Sequence, residues 1–491
     1  WVKSTEAASS SNANCYIGYH TVSGGNIFLL GYWSSTLRLQ IMNTYVTVST
    51  SAEPQEWTHY VVTAKENGTS TAAKVYKDGA QIWSGTINNV LTVTYNDKPW
   101  VLGQDWDSST SKTDYFKGNM DNVRFYDNEL DAAYVRQIFL KESSYVHLKF
   151  DDDFNDSVGS NHGTQTGGVL FKEGLENKSA WMDGYNDYIE FGSSTTDPRL
   201  TNGVYKDFSM SIWVKSHSSA TTTDNNCYIG KHTGTGGNLF LFGYWSGALK
   251  IQIKSQVATV TTATEPTSWT HYVISGYEYS TNNTTTMKVF KNGEQIWEGT
   301  LNDTMGSFSS TKPWVLGMDW DSSTSKTDYL AGDIDNFRFY KRRLNAVYAD
   351  EVQQLYLSEF SGLRYCDTTQ YAAGCTTTTE TDSDLSDTWW WIQSGLFGIL
   401  VPHTSVESIK VSEGWEAYLC TSTNSQGTCH YFDDGVYASV TGLPSELLNS
   451  TYSITVQPRT FDAAKKYFGY KKVGESGYLP VGFAYFYQYA N

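Results

Sequence analysis

Two nearly identical stretches hold the side chains best suited to chemistry. KPWVLGQDWDSSTSKTDY, Lys98 to Tyr115, returns as KPWVLGMDWDSSTSKTDY, Lys312 to Tyr329, with one change in eighteen positions. Each carries three carboxylates within one short loop: Asp105, Asp107 and Asp114, then Asp319, Asp321 and Asp328. Hard oxygen donors at this density suit Ca²⁺, which takes about six to eight oxygens from carboxylates, carbonyls and water. The plainer alternative is solvated loop aspartates, copied when the chain duplicated. Asp151, Asp152, Asp153 and Asp156 form a second acidic run, which could bind a cation but reads first as a solvated turn. Asp121 and Asp335 read as carboxylates that bond the backbone where strands begin. No HExxH, GxSxG or glycine-rich phosphate loop occurs, so no catalytic group stands out.

These loops sit inside a long internal repeat. WVKS occurs at Trp1 and Trp213, and the offset of 212 also relates Cys15 to Cys227, Asn26 to Asn238 and Trp57 to Trp269. It becomes 214 for the aspartates and for MDNVRFY against IDNFRFY, so residues 1–143 and 213–358 are two copies of one unit. Residues 145–212 precede the second copy and have no counterpart within the first. Leu37, Leu39 and Ile41 alternate with polar residues, as do Leu249, Ile251 and Ile253, the period of half-buried strands. Asp78-Gly79 and Asn292-Gly293 join short apolar runs and tolerate the positive φ of a two-residue hairpin turn. Each copy closes on one helical pattern: Leu130, Tyr134 and Ile138, then Leu344, Tyr348, Val352 and Leu355, with Asp131 and Asn345 placed as N-caps.

The 491 residues carry a net charge of −17 with a pI near 4.9, and 39% are hydrophobic. An acidic, Ser/Thr/Asn-rich and aromatic chain fits an all-β surface protein whose counter-partners are cations; nucleic acid and anionic membrane would demand a basic face. The apolar run GLFGILV, Gly395 to Val401, is too short to span a bilayer, so no membrane insertion is expected. Cys366 and Cys375 are nine apart, as are Cys420 and Cys429, which reads as two short-range disulfides; zinc would demand closer pairs or a histidine pattern that His403 and His430 do not supply. Cys15 and Cys227 read as buried free thiols. Sequons at Asn67, Asn155, Asn177, Asn282, Asn283, Asn302 and Asn449 permit glycosylation, and with the disulfides they point to an extracellular or secretory-granule location.

HLKFDDDF, DGYNDYIEF, FSMSIWVK, the Asp/Asn-Gly hairpins and the MDNVRFY/IDNFRFY segments resemble, in order, the laminin-G-like and pentraxin jelly rolls of concanavalin type. The resemblance covers about 1–358 and implies a two-sheet antiparallel sandwich for 144–359 and an N-terminally incomplete one for 1–143. It also implies a calcium site in each copy: Asn26, Asp105, the Trp106 carbonyl, Asp107 and Asp114, and Asn238, Asp319, the Trp320 carbonyl, Asp321 and Asp328. Gly25 and Gly237 stand where the family has an Asp, so affinity is expected in the weak extracellular range, roughly 10⁻⁴ to 10⁻³ M. The Glu-x-Asp-x-x-Glu motif of glycanases on this fold is missing.

Residues 360–457, with LRYCDTTQYAAGC, AYLCTSTNSQGTCHYF and the closing SIKV and SITV strands, resemble a βγ-crystallin Greek-key domain. That family's calcium positions read HTSVES and LNSTYS here, which lack the paired acid or amide, so no ion is assigned to them. Trp389, Trp390 and Trp391 read as strand residues of alternating burial, and Phe483, Tyr485, Tyr487 and Tyr489 put one aromatic face on a strand of the 458–491 tail.

The expectation is therefore an all-β, non-enzymatic secreted protein with Ca²⁺ as cofactor. Its first reading is structural: calcium-stabilised modules assembling with copies of themselves or other matrix proteins into a filament, matrix or granule. The alternative is a calcium-dependent lectin-like or adhesion protein that binds glycans, with Trp106 and Trp320 as stacking platforms. The first repeat is expected to expose a sheet that some segment, upstream or from another chain, must cover.

Overall fold

The structure is a computed structural model. It describes residues 1–359 apart from 10, 43, 92–97, 127–128, 176, 193–206, 222–223, 280, 307–310, 323 and 347, and beyond them only strands between Leu363 and Pro458. The tail aromatics Phe483, Tyr485, Tyr487 and Tyr489, the loop histidine His403 and the sequon at Asn449 lie outside the described residues. The fold is all-β, with two short helices among the described residues. Two compact units divide at Leu140 and Lys141.

In the first unit the strands are β1 (Val2–Ser4), β2 (Asn14–His20), β3 (Asn26–Trp33), β4 (Thr36–Ile41), β5 (Thr44–Ser49), β6 (Tyr60–Asn67), β7 (Ser70–Lys77), β8 (Ala80–Ile87), β9 (Val101–Leu102), β10 (Asp105–Trp106), β11 (Lys112–Thr113) and β12 (Gly118–Met120), followed by α1 (Ala132–Glu142). One sheet runs β5-β4-β3-β2-β9 and another β6-β7-β8. Leu37, Leu39 and Ile41 are fully buried on β4, as their alternation predicts. The turn between β7 and β8 has Asp78 at φ +50° and Gly79 at φ +78°, the double positive pair that matches strand twist. Asp131 caps α1 through its Oδ1, which accepts the Tyr134 amide at 2.7 Å.

The second unit repeats this plan and completes it. Its strands are β13 (Val146–Leu148), β14 (Thr164–Thr166), β15 (Leu170–Glu173), β16 (Lys178–Asp183), β17 (Tyr188–Phe191), β18 (Asp207–Ser216), β19 (Asn226–Thr233), β20 (Asn238–Trp245), β21 (Ala248–Ile253), β22 (Gln256–Thr261), β23 (Thr270–Tyr279), β24 (Thr284–Lys291), β25 (Glu294–Leu301), β26 (Thr311–Leu316), β27 (Asp319–Trp320), β28 (Lys326–Thr327) and β29 (Ala331–Tyr340), closed by α2 (Glu351–Glu359). The sheets β15-β16-β29-β18-β23-β24-β25 and β14-β17-β26-β19-β20-β21-β22 enclose a core in which Ile212, Phe240, Phe242, Ile251 and Phe337 are fully buried. That two-sheet packing is the jelly-roll sandwich expected for this stretch.

One boundary differs. The pattern from Leu344 predicts a helix there, but α2 starts at Glu351. Asn345 adopts φ +59°, outside the helical region, so the intervening residues turn instead. Its Oδ1 still accepts the Val352 amide at 2.7 Å, capping α2 from across that turn.

In the C-terminal region Cys420 and Cys429 form a disulfide between Trp415–Ser422 and Gln426–Phe432. Cys366 and Cys375 stand opposite each other in the ladder of Leu363–Cys366 with Cys375–Thr378; their side chains lie outside the described residues. Trp389–Ser394 forms a ribbon with Phe397–Pro402, and the side chains of Trp389, Trp390 and Trp391 likewise lie outside the described residues. Cys15 and Cys227 are buried free thiols, as read from the repeat.

Candidate cation and ligand loops

Each acidic loop is a tight antiparallel ribbon. Asp105 pairs with Thr113 and Trp106 with Lys112; in the second unit Asp319 pairs with Thr327 and Trp320 with Lys326. The tip is closed by the Asp107 amide on the Ser111 carbonyl at 3.1 Å and by Ser108 Oγ, which accepts the Ser111 amide at 2.9 Å. Asp321, Ser325 and Ser322 repeat both bonds at the same distances.

The ribbon is anchored by a buried histidine. His20 Nε2 lies 2.7 Å from Asp105 Oδ1, and His232 Nε2 lies 2.7 Å from Asp319 Oδ1; both imidazoles are fully buried. The carboxylate fixes the Nε2–H tautomer and leaves Nδ1 buried with no hydrogen-bond partner in either copy. The reading of the sequence missed these histidines, although they keep the same 212 offset as the rest of the repeat.

Across from the ribbon lies the turn Thr21–Gly25, closed by the Thr21 amide on the Gly25 carbonyl at 2.8 Å and the Gly25 amide on Thr21 Oγ1 at 2.9 Å. Gly24, at φ +89°, touches the acidic loop so closely that a Cβ there would sit 2.3 Å from the Ser108 carbonyl carbon; at Gly236, φ +90°, the distance to Ser322 is 2.2 Å. The next residue but one, Asn26 or Asn238, is the ladder partner of the buried histidine. Asn26 and Asn238 thus lie at the end of the ladder where the buried histidine meets Asp105 or Asp319.

Asp114 and Asp328 hold the far side of the loops at φ +51°, a conformation that Asp tolerates better than most residues. Their carbonyls accept the Cys15 and Cys227 amides, each at 3.0 Å. Asp114 Oδ2 accepts Trp33 Nε1 at 2.5 Å, whereas Asp328 Oδ1 accepts Asn225 Nδ2 at 3.1 Å, since Ala13 stands at that position in the first copy. Burial raises the Asp114 carboxyl above its ordinary value, the Trp33 bond offsets part of that, and Asp105 and Asp107 add to the rise. Burial, the Asn225 bond, Asp319 and Asp321 act alike on Asp328. A raised carboxyl stabilises the fold below its unfolded pKa, and that contribution is lost as pH climbs through the folded one. A cation bound beside Asp114 or Asp328 would act in the opposite direction to burial and to the neighbouring carboxylates.

The donor chemistry fits a hard cation. Asp107 and Asp321 are exposed, and in Asp105, Asp114, Asp319 and Asp328 one carboxylate oxygen takes the protein bonds just described. Among the described residues, however, no three His, Cys, Asp or Glu side chains converge as a closed metal cage.

The tryptophans are covered rather than bare. Lys98 and Lys112 place their ammoniums 3.7 and 4.8 Å from the Trp106 ring centre, and Lys312 and Lys326 stand 3.4 and 4.6 Å from that of Trp320. Trp320 is also buried against Tyr188, Val315 and Met318, so the expected open stacking platform is lost in the second unit. Trp106 is half-buried, and its Nε1, like that of Trp320, has no partner.

A second missed feature supports the site from below. Glu265 accepts Ser216 Oγ at 2.5 Å, the Ala220 amide at 2.6 Å, Asn226 Nδ2 at 2.8 Å and the Tyr228 hydroxyl. Glu53 accepts the Ala8 amide, Asn14 Nδ2 and Tyr16 OH at 2.6–2.7 Å. Both hubs fix the strand that carries the buried cysteine and histidine into the loop. Elsewhere, Asp156, read as part of a solvated turn, is buried and accepts the His147, Val158 and Asn161 amides, and Asp335, read as standing where a strand begins, lies within β29 and accepts Leu175 N at 2.8 Å. Sequon residues Asn67, Asn155, Asn177, Asn282, Asn283 and Asn302 are exposed.

Residues 1–136 and 183–351 match the laminin-G-type concanavalin A-like lectin/glucanases superfamily, and the chain belongs to it. No curated protein is similar in sequence. Similar solved structures include the binding domain of botulinum neurotoxin DC in complex with rat synaptotagmin II, at 13% identity over 61% of this chain and 74% of that one, TM-score 0.35. The botulinum neurotoxin serotype C1 binding domain gives 11% over 66% and 81%, TM-score 0.35. The Ruminococcus gnavus IT-sialidase CBM40 bound to α2,3-sialyllactose gives 15% over 38% and 99%, TM-score 0.29. Among the described residues no helix is long and apolar enough to cross a membrane.

Proposed function

We propose that the protein is a non-catalytic, extracellular lectin-like protein that binds glycans at its two acidic loops with the help of Ca²⁺. One observation carries this reading: the histidine-anchored aspartate ribbon, the glycine turn packed on it and the lysine-covered tryptophan are built twice, with matching distances. A calcium ion would be held by Asp105, Asp107, Asn26 and the Trp106 carbonyl, and by Asp319, Asp321, Asn238 and the Trp320 carbonyl, with Asp114 and Asp328 adding negative charge from the far side of each loop. When bound, it supplies positive charge and open coordination positions for sugar hydroxyls. The residues themselves set the loop: His20 and His232 orient the first carboxylate, and Trp33 or Asn225 the last.

Membership of the lectin/glucanase superfamily favours ligand binding over the assembling filament or matrix expected from the sequence. The C-terminal strands fit the same picture as a disulfide-stabilised, crystallin-like appendage. A glycan array probed with the full chain tests the reading. Binding in millimolar Ca²⁺ that disappears in chelator is expected; uniform absence of signal, or binding indifferent to chelator, sets it aside.

A further inference from the structure

The outward face of β17 and β26 carries a further group of side chains beside the acidic ribbon of the second unit. Tyr188 and Glu190 are two residues apart on β17 and share that face, while Ile189 between them lies in the core. Glu190 stands opposite Val315, which packs with Tyr188, Met318, Trp320 and Tyr329. Lys326, the ladder partner of Trp320, donates to the Tyr188 hydroxyl, and its ammonium lies 4.6 Å from the Trp320 ring centre and 4.4 Å from that of Tyr188. Tyr185, 79% exposed in the turn before β17, lies within electrostatic reach of Tyr329, as do Tyr188 and Lys326. Glu190 itself is half-buried, and among the described residues its carboxylate takes no hydrogen bond and no ion pair. Burial raises that carboxyl above its ordinary value while Lys326 and Lys312 pull it back, so both ammoniums face it without bonding to it.

A half-buried carboxylate without a protein partner costs free energy that a ligand's donor recovers. Its neighbours narrow the ligand. Glu190 only accepts hydrogen bonds, whereas Lys326 only donates them and keeps donors beyond the one given to Tyr188. A hydroxyl does both, so adjacent hydroxyls of one sugar ring satisfy the pair, and the C–H face of that ring packs on an exposed aromatic side chain such as Tyr185. An acidic sugar would face Glu190 as a like charge, and an amino sugar would face Lys326. We propose that Glu190, Lys326 and Tyr185 form a subsite for a neutral pyranose residue beside the acidic ribbon of the second unit. Trp320 lies between Asp319 and Asp321 in the chain and pairs with Lys326, so ribbon and subsite adjoin and one oligosaccharide reaches both. The inference rests on the glycan reading and adds the class of sugar that the second loop selects.

The test is saturation-transfer NMR on the full chain carrying Asp105→Asn, in millimolar Ca²⁺, so that the second loop alone reports. The probes are the methyl glycosides of glucose, galactose and mannose, with glucuronate and glucosamine as charged counterparts. At least one neutral glycoside should bind, and more tightly than either charged sugar. Glu190→Gln and Tyr185→Ala change side chains that take no protein bond, so melting and calcium heat should stay as they are. Affinity for that glycoside should fall about tenfold or more in each variant. Equal affinity in the parent and both variants overturns the proposal, as does tighter binding of glucuronate or glucosamine. Calcium-dependent signal on the glycan array with none of the neutral glycosides bound overturns the subsite and leaves the glycan reading standing, whereas a blank array sets both aside.

Discussion

Glu265→Ala should lower the stability of the second unit by about 3 kcal/mol, because several buried donors lose their acceptor at once. The side chain is almost wholly buried and accepts four hydrogen bonds, from Ser216, Ala220, Asn226 and Tyr228. Alanine leaves those donors in a cavity with no acceptor, each costing roughly 1–3 kcal/mol before relaxation or entering water offsets part of it. Glu265→Gln keeps the volume and one acceptor oxygen but turns an amide towards donors, so an intermediate loss is expected. Urea denaturation of the full chain, followed by tryptophan fluorescence, gives the comparison. An alanine variant within about 0.5 kcal/mol of wild type, the ordinary scatter of surface substitutions, would show that the hub carries no weight.

Gly236→Val should disable the second loop. At φ +90° an L-residue is strained by roughly 1–2 kcal/mol on backbone grounds. The added Cβ also meets the Ser322 main chain at 2.2 Å, and backbone cannot rotate away as a flexible side chain can. Relief requires the turn and the acidic ribbon to separate, which displaces Asn238 from Asp319 and Asp321. Calcium affinity at that loop should drop at least tenfold, and stability by about 3 kcal/mol once the clash adds to the strain. Gly237→Ala is the control, because its Cβ meets only Thr233 Oγ1 at 3.2 Å and the Thr233 methyl at 3.9 Å. Equal binding by wild type and Gly236→Val would show that loop and turn do not form one site.

Periodicity and turn chemistry made the strands and hairpins legible: Leu249, Ile251 and Ile253 alternate because one sheet face is buried, and Asn292-Gly293 turns because both residues accept positive φ. The aspartates stood out because the repeat carries them twice in nearly identical stretches. What supports them was harder to read. His20, Glu53 and their copies look like ordinary strand and loop residues, and only the fold brings residues 85 and 37 positions apart into contact. Helix α2 began late because one asparagine took a left-handed turn that no hydrophobic period records. The tryptophans were read as open platforms because neither Lys98 nor Lys312, each two residues before a different tryptophan, advertises that its ammonium will lie over the loop ring.

The central claim, that the duplicated loops are calcium-assisted binding sites, is tested most directly by isothermal titration of the full chain with Ca²⁺. Wild type should bind one ion per loop with a dissociation constant on the order of 10⁻⁴ to 10⁻³ M. The double variant Asp105→Asn, Asp319→Asn should lose that heat while keeping its fold by circular dichroism. No heat at millimolar calcium, or the same heat from wild type and double variant, would contradict the claim.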